Sequence, residues 1–460
     1  MLIGVTSLVA CALWLAMLWP SEATSPEESA AVEEGRTLIT YWNRHTGHEY
    51  DAHAKLVDEF NHTQDKIYVR SLSIGARGSM EKLLTSISGG APPDVCSLDS
   101  PKLIQLAAQG CFMPLDDWMA QEPELQEEAF FPHTYQQVVH NERVYAIPTT
   151  TDVYCLLWNK DAFRKAGLDP EVPPKTLAEL EEFAAKLTIQ DEDGIQQMGF
   201  IPWRPFDMTE MWGVMFGGVW YDYENHRTNV GTDQAIIDSY NWQATFAKDP
   251  NVTTHQPYAI DPGRLAGFEQ SFGAYFSANS PFYSGKLAMI TEGEWQCTFI
   301  PLYAPDLNWG VAPIPQPEGA PERCFTQASI VDCIPRGARN PEASWAFLKW
   351  FYTKRGEGLT SPASDYCFEI HNIPTRPSEA KQSRFMDDPK FRVFVDQLLT
   401  KPAVGPPITP VAQFYRQQLR RTREYVVFRE TTAEKAVVEM EAAVNGEQDR
   451  VESFLARFTQ

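Results

Sequence analysis

The chain carries no block of Lys or Arg: 39 basic residues face 61 acidic ones over 460 positions, for a net charge of −22. A surface of that sign repels phosphate backbones and anionic lipid, which argues against nucleic acid as a partner and disfavours a strongly anionic ligand, unless a local Arg cluster overrides it. No CxxC pair occurs, so structural zinc and thioredoxin chemistry lack support. Beyond Cys11 the cysteines are Cys96, Cys111, Cys155, Cys297, Cys324, Cys333 and Cys367. An odd number in an exported chain leaves a thiol without an internal partner. Cys324 with Cys333 and Cys96 with Cys111 are candidate bridges, and the alternative is that they are small apolar core residues. Gly-x-Ser-x-Gly and His-Glu-x-x-His are both missing, which removes two familiar catalytic constellations. No cofactor is expected. Gly75–Ser79 opens a helix whose amides suit an anion, but it lacks the Lys and the spacing of a phosphate loop. His45, His48 and His53 do not share a metal-binding spacing, because His53 is needed for a core stripe.

Aromatic residues are what the chain has in excess. Thirteen Trp and 17 Tyr exceed the needs of a core, and both types favour places where an apolar ring meets a polar edge. A length of 460 residues with 43% hydrophobic and 22% charged content fits a globular protein of about two domains. Residues 2–19 are nearly all apolar and uncharged, long enough to span a bilayer, which needs about 20 residues. Ser21-Glu22-Ala23 then offers a small-x-small cleavage signal. Residues 1–23 are therefore expected to be a signal peptide or an N-terminal anchor, although no basic residue precedes the apolar run. Leu8-Val9-Ala10-Cys11 also fits a lipoprotein signal, so cleavage, lipidation and retention stay open. Residues 24–35 read as an acidic linker, and the expected location is periplasmic or otherwise extracytoplasmic.

From residue 36 onward strand and helix signals alternate. Thr37–Trp42 is β-rich, and Thr46 with Glu49 reads as a capping box opening a helix with His53, Leu56, Val57 and Phe60 on one face. Lys66–Leu72 and Pro93–Leu98 read as strands, with helices over 79–88 and 101–109. Val153–Trp158 is a buried strand, and Thr176 with Glu179 caps a helix presenting Leu177, Leu180, Phe183 and Leu187. Asn340-Pro341 caps another with Ala343, Ala346, Phe347 and Trp350 on its stripe. This order predicts an α/β architecture with a mostly parallel sheet and helices on both faces.

Several segments then occur in a telling order. They are Gly89-Gly90-Ala91-Pro92-Pro93-Asp94-Val95, Ala107–Asp116 ending Pro114-Leu115-Asp116, and Val144–Pro148. Next come Leu157-Trp158-Asn159-Lys160-Asp161-Ala162-Phe163, Ala166-Gly167-Leu168 and Pro173–Leu180. Last are Gly285–Ile290 with Gly293-Glu294-Trp295, and Gly310–Pro315. Together they resemble the extracellular solute-binding proteins of ABC importers, the family that includes maltose-binding protein. The departures, Leu177 for the usual Trp and Trp158 for the usual Tyr, keep an apolar role. The resemblance implies a two-lobe periplasmic-binding-protein fold, type II-like, with a hinged cleft. Carried over by segment, lobe 1 takes 36–152 and 330–372, and lobe 2 takes 153–329 and 373–460. The implied function is reversible, non-enzymatic binding of a sugar, oligosaccharide or polyol by a monomer that delivers it to a membrane permease. The competing readings are an exported carbohydrate-active enzyme, which needs two carboxyls about one bond, and a ligand-sensing partner of a membrane receptor.

A sugar site needs carboxylates or amides for hydroxyls and rings for C–H faces. The resemblance places a ligand carboxylate at Asp152. Asp99 ends a strand at the sheet edge where open α/β sheets bind ligands, with helix capping as the alternative. Trp295 is the leading ring, its preceding Gly293 letting backbone approach the ligand. Trp42 and Asn43 end the first strand. Trp203 and Trp212 flank the Phe206-Asp207 loop, where the resemblance places a second-lobe aromatic. Phe414 and Tyr415 resemble a late aromatic helix, and Arg376 is a candidate for a hydroxyl or carboxylate.

Overall fold

A computed structural model describes residues 25–75, 78–248, 259–275, 277–356 and 360–457. The apolar N-terminal run, Cys11 and part of the Gly75–Ser79 segment lie outside the described residues. Among the described residues no helix is long and apolar enough to cross a membrane. The strands that frame the molecule are β1 (Thr37–Asn43), β2 (Ile67–Ser73), β3 (Val95–Asp99), β4 (Ile147–Pro148), β5 (Thr150–Thr151), β6 (Tyr154–Asn159), β7 (Met289–Gly293), β8 (Trp309–Ala312), β9 (Ile330–Cys333) and β10 (Ile373–Pro374). The helices used below are α1 (Pro26–Glu33), α2 (Gly47–Thr63), α3 (Ser100–Ala108), α4 (Thr209–Met215), α5 (Pro341–Tyr352) and α6 (Ala412–Val427).

Two lobes result, each built on its own sheet. Lobe 1 holds five strands in the order β2-β1-β3-β9-β4. β1 runs parallel to β2 and β3, whereas β9 runs antiparallel to β3 and β4. β1 alternates buried and half-buried positions because one face meets the core, while β3 is buried almost throughout, as a central strand should be. Lobe 2 holds three strands with β6 central, antiparallel to both β7 and β8. The parallel expectation thus holds for β1–β3 only. In lobe 2 the long excursion between β6 and β7 returns the chain from the opposite end, so β7 reverses against β6.

Two hydrophobic clusters follow the sheets, one around Ile39, Val95, Leu98, Phe347 and Phe351, the other around Leu156, Leu157, Trp212, Ile290 and Tyr415. The chain passes between them near 148–153, 325–331 and 370–373. Two of these crossings pair with each other: β5 and β10 form a short antiparallel ribbon, Ile373 opposite Thr151. That ribbon ties the passages into one unit at the base of the cleft.

Several local expectations need correction. The acidic segment is not a plain linker: α1 is capped by Ser25, whose Oγ accepts from Glu28 N at 3.2 Å, and Glu28 pairs with Arg70 of β2 at 3.3 Å. Thr46 makes no side-chain cap bond to α2, and Glu49 turns to His45 at 3.5 Å instead. Thr176 does cap its helix, accepting from Glu179 N at 3.1 Å. On α5 the buried stripe is Ser344, Trp345, Phe347, Leu348 and Phe351, so Ala346 faces solvent and Trp345 stacks on Trp118 at 5.6 Å. All seven described cysteines are buried and unbridged. Neither candidate bridge forms, because the strand register sets Cys96 beside Cys333, sulfurs 3.4 Å apart.

Candidate functional site

Register brings the cleft residues to one edge of each sheet. In lobe 1, β1 and β3 end together, placing Arg44 and Asp99 side by side, and antiparallel β9 begins there, with Ile330 opposite Asp99. In lobe 2, Tyr154 at the start of β6 lies opposite Gly293 at the end of β7. Asp152, just before β6, is thereby brought to Glu294 and Trp295, just after β7. Between these edges lies a cavity of about 820 Å³ lined by Arg44, Asp99, Lys102, Asp152, Phe206, Trp295, Gln327, Asn372 and, from α6, Arg416 and Arg420.

Asp99 is clasped by Arg44 at 3.0 Å and Lys102 at 2.9 Å. Burial pushes its carboxyl up, but the two cations outweigh that and hold it below its usual range. Its side chain makes no cap bond to α3, so the capping alternative does not apply. Asp152 meets a different environment. Asn372 Nδ2 donates to Asp152 Oδ1 at 3.0 Å and to Glu294 Oε1 at 3.2 Å, so one amide bridges both carboxyls. Glu294 Oε2 also accepts from Val153 N at 2.9 Å. Burial raises the pKa of both acids, and for Glu294 the neighbouring Asp152 adds to it. Burial with a second carboxyl close by favours the protonated form of both acids.

Trp295 is 9% exposed and lines the cavity, its indole Nε1 donating to Tyr275 Oη at 3.0 Å. Tyr275 Oη donates in turn to Glu292 Oε2 at 2.7 Å, and the Tyr275 ring packs on Phe206 at 4.2 Å. Tyr154 meets the indole edge-on at 5.5 Å. The indole is therefore fixed from two sides before any ligand arrives. The missing side chain at Gly293 makes room for this ring: a Cβ there would stand 2.1 Å from Trp295 Cζ3.

The other candidates lie away from the cavity. Trp42 is half-buried and packs on the lobe 1 core, and Asn43 is fully buried with its Oδ1 accepting from His45 N at 2.8 Å. Trp212 is sealed inside lobe 2, its Nε1 donating to Pro202 O at 2.8 Å. Trp203 is buried with Nε1 on Glu269 at 2.8 Å and the Arg423 guanidinium over its ring. Tyr415 points into the lobe 2 core, where its hydroxyl donates to Trp220 O at 2.5 Å, while Phe414 packs at the margin of that core. Arg376 is buried, ion-paired with Glu379 at 2.8 Å and donating to Tyr352 O at 2.6 Å. The polar atoms of Trp203, Trp212, Tyr415 and Arg376 are thus held by the protein, whereas Asn43 Nδ2 is buried without a hydrogen-bond partner.

Sequence reasoning missed Arg44, Lys102, Gln327, Asn372, Arg416 and Arg420. Two signals were present. Arg44 directly follows the strand end at Asn43, and helical spacing that sends Tyr415 and Leu419 inward turns Arg416 and Arg420 outward. The cations do not stand free: Arg416 pairs with Glu210 at 3.2 Å and Arg420 with Asp207 at 3.3 Å. Gln327 accepts from Tyr154 Oη at 2.6 Å, one more link between a crossing and lobe 2.

A sequence profile described as bacterial extracellular solute-binding protein matches residues 47–358. The chain belongs to this family. It is similar to the sn-glycerol-3-phosphate-binding periplasmic protein of Pectobacterium atrosepticum, 25% identical over 64% of this chain and 65% of that one. Among solved structures it resembles CpMnBP1 with mannotriose bound, with 27% identity, a TM-score of 0.76, and coverage of 88% of this chain and 99% of that chain. The sugar-binding protein MalE from Xanthomonas citri shares the fold at a TM-score of 0.70 and 22% identity, over 92% and 98% of the two chains. Membership of a family of binding proteins agrees with a cleft whose polar groups hold one another in place.

Proposed function

We propose that this solute-binding protein reversibly holds a neutral sugar or polyol between its lobes and passes it to the membrane permease of an ABC importer. The observation that carries the reading is the joining, at one cavity, of a fixed indole with the hydrogen-bonding set Asp152, Asn372, Gln327 and Asp99. A ring suits the C–H face of a pyranose, and carboxylates and amides suit its hydroxyls. Closure follows because only the closed form lets both walls touch the ligand, and the shift is bounded by that difference in affinity. Residues 148–153 and 370–374 are the natural hinge in this reading, and the lobes divide there and at 325–331.

The charge pattern favours a neutral ligand. Arg44 and Lys102 share Asp99, Arg416 faces Glu210 and Arg420 faces Asp207, so an anion would have to displace carboxylates at those four; Arg421, the fifth cation of the lining, meets the Tyr425 hydroxyl and no carboxylate. Calorimetry against mono- and oligosaccharides, polyols and sn-glycerol 3-phosphate tests the reading. Saturable binding of a neutral sugar or polyol with no new product supports it. A preference for the phosphate ester overturns the neutral assignment, and cleaved products move the protein to the enzymes. Trp295→Ala should weaken binding by about 1–3 kcal/mol if the indole stacks on the ligand, the range for ring stacking on planar ligands. Unchanged affinity in a folded variant removes Trp295 from the site.

A further inference from the structure

Among the described residues, lobe 1 holds three thiols in its hydrophobic cluster, Cys96, Cys111 and Cys333, and ligand binding uses none of them. Register brings two of them together. Cys96 of β3 lies directly opposite Cys333 of antiparallel β9, with the sulfurs 3.4 Å apart. Residues opposed in this way have Cα atoms about 4.5–5.5 Å apart, inside the span of about 4.4–6.8 Å that a disulfide bridges. From 3.4 Å the sulfurs need to close by roughly 1.3 Å to reach a bonded distance of about 2.05 Å. That is a movement of side chains and not of strands. Thiols of lobe 2 turn elsewhere: Cys367 Sγ donates to Thr149 O at 3.3 Å and Cys324 Sγ to Lys401 O at 3.9 Å.

Compartment and topology both bear on this pair. The family is extracellular, and disulfides form and persist outside the reducing cytosol. The two cysteines also span the break in lobe 1. They stand 237 residues apart in sequence, with the whole excursion through lobe 2 between them. β3 carries Asp99 at its cleft end, and β9 is the strand that receives the chain as it returns from lobe 2. A covalent bond here joins the outgoing and returning passes of lobe 1, which strand hydrogen bonds and packing otherwise hold. A cross-link stabilises chiefly by restricting the unfolded chain, and more so when the loop it closes is long. Core packing alone is served by any small apolar residue at either position, and it does not call for two sulfurs in contact.

We propose that Cys96 and Cys333 form a disulfide as lobe 1 assembles outside the cytoplasm, stapling β3 to β9. The oxidant is the disulfide of a thiol–disulfide oxidoreductase. One cysteine thiolate attacks a sulfur of that disulfide to give a mixed disulfide, and the other thiolate then displaces the oxidant and closes the new S–S bond. Two thiol protons and two electrons leave the pair, and the oxidant is reduced to two thiols. Timing follows from burial. Cys96 and Cys333 are 1% and 0% exposed, and burial, with Cys96 alongside, pushes the Cys333 thiol well up. The folded dithiol is therefore shielded from exchange, and the bond closes while β9 is docking on β3. This goes beyond the sugar-binding reading and does not depend on the ligand; it rests on the location of the family.

The test takes the full chain from the periplasm of a bacterial host and denatures it in N-ethylmaleimide. It should carry two fewer labels than the same sample reduced beforehand, and peptide mapping without reductant should join the segment holding Cys96 to the one holding Cys333. Cys324→Ala should keep that link and Cys333→Ala should lose it. Refolding from urea in mixed reduced and oxidised glutathione should give the same bridge, while the folded, reduced chain in the same buffer should keep its thiols. Bridged protein should melt at a higher temperature than reduced protein, a difference that vanishes in Cys333→Ala. The labelling and the map are made on the wild type, so they stand even if a variant fails to fold. Full labelling of the periplasmic chain, or a link from Cys96 to Cys111, overturns the proposal. Ready oxidation of the folded, reduced chain overturns closure during docking.

Discussion

Asp99 and Asp152 are the same residue type at the rim of one cavity, and the fold treats them in opposite ways. Asp99 sits at the end of β3 with Arg44 and Lys102 on its oxygens, and its charge is stabilised. Asp152 sits at a lobe crossing, shares Asn372 with Glu294, and has its pKa raised by burial. The difference lies in neighbours that arrive from distant parts of the chain. It teaches that lobe 1 presents a carboxylate held charged by two cations, whereas the hinge side presents two buried carboxyls, both raised in pKa and bridged by one amide.

The two walls therefore predict opposite dependences on pH. Acids raised in the folded state bind protons that the unfolded chain releases, so their contribution to stability falls as pH rises from the unfolded value to the folded one. Burial pushes Glu292, next to the pair, from 4.5 to about 7, which bounds its share at about 3 kcal/mol. Stability should decline between about pH 4.5 and 7, and Glu292→Gln, which keeps an acceptor for Tyr275, should flatten that decline in urea titrations across pH. An unaltered slope would locate the proton elsewhere. Asp99 works the other way: its lowered pKa contributes stability above the unfolded value of about 4, and this is lost as pH falls through the folded one.

A second way to break the comparison is steric. Gly293→Ala sets a methyl 2.1 Å from the indole, so Trp295 must leave its place against Tyr275 and Tyr154. Overpacking of this kind costs about 1–3 kcal/mol, and ligand affinity should fall with it, as denaturation and calorimetry on one variant would show. Retained affinity would mean that the ring position is not what the ligand needs. The smallest effect is expected on the lobe 1 wall. Arg44→Ala removes one of two cations from Asp99, whose side chain is 28% exposed, and pairs this accessible are worth about 1 kcal/mol or less. An NMR titration of Asp99 should show its pKa rise while that of Asp152 rises too, since Arg44 also opposes the burial effect there. Movement of Asp99 alone would disconnect the two walls.

Much of this organisation was legible in the chain. The runs that became β1, β3 and β6, the cap at Thr176, the helix start at Pro341 (where Asn340 makes no side-chain cap bond), and the ordered segments from Gly89 to Pro315 point to the family without coordinates, because strand runs, turns and caps are local chemistry. Asp99 and Trp295 come to the cavity from positions read off strand ends, since strands deliver their terminal residues to a common edge, and Asp152 comes there from the family resemblance. Ligand contact by these residues remains the proposal tested above.

What the chain could not reveal was phase and partnership. Trp203, Trp212 and Tyr415 are core or core-margin residues with satisfied polar atoms, Trp42 and Asn43 belong to lobe 1 packing, and Arg376 is locked to Glu379. On α5 the predicted stripe slipped until Ala346 faced solvent, and on α6 it was the arginines, not the aromatics, that turned to the cleft. The physical reason is the same in each case. Local sequence sets which residues are apolar and how they repeat, but a Trp or Arg serves a core as readily as a site. Only packing between segments hundreds of residues apart, such as Asp152 with Asn372, decides which side chains keep a free face for a ligand.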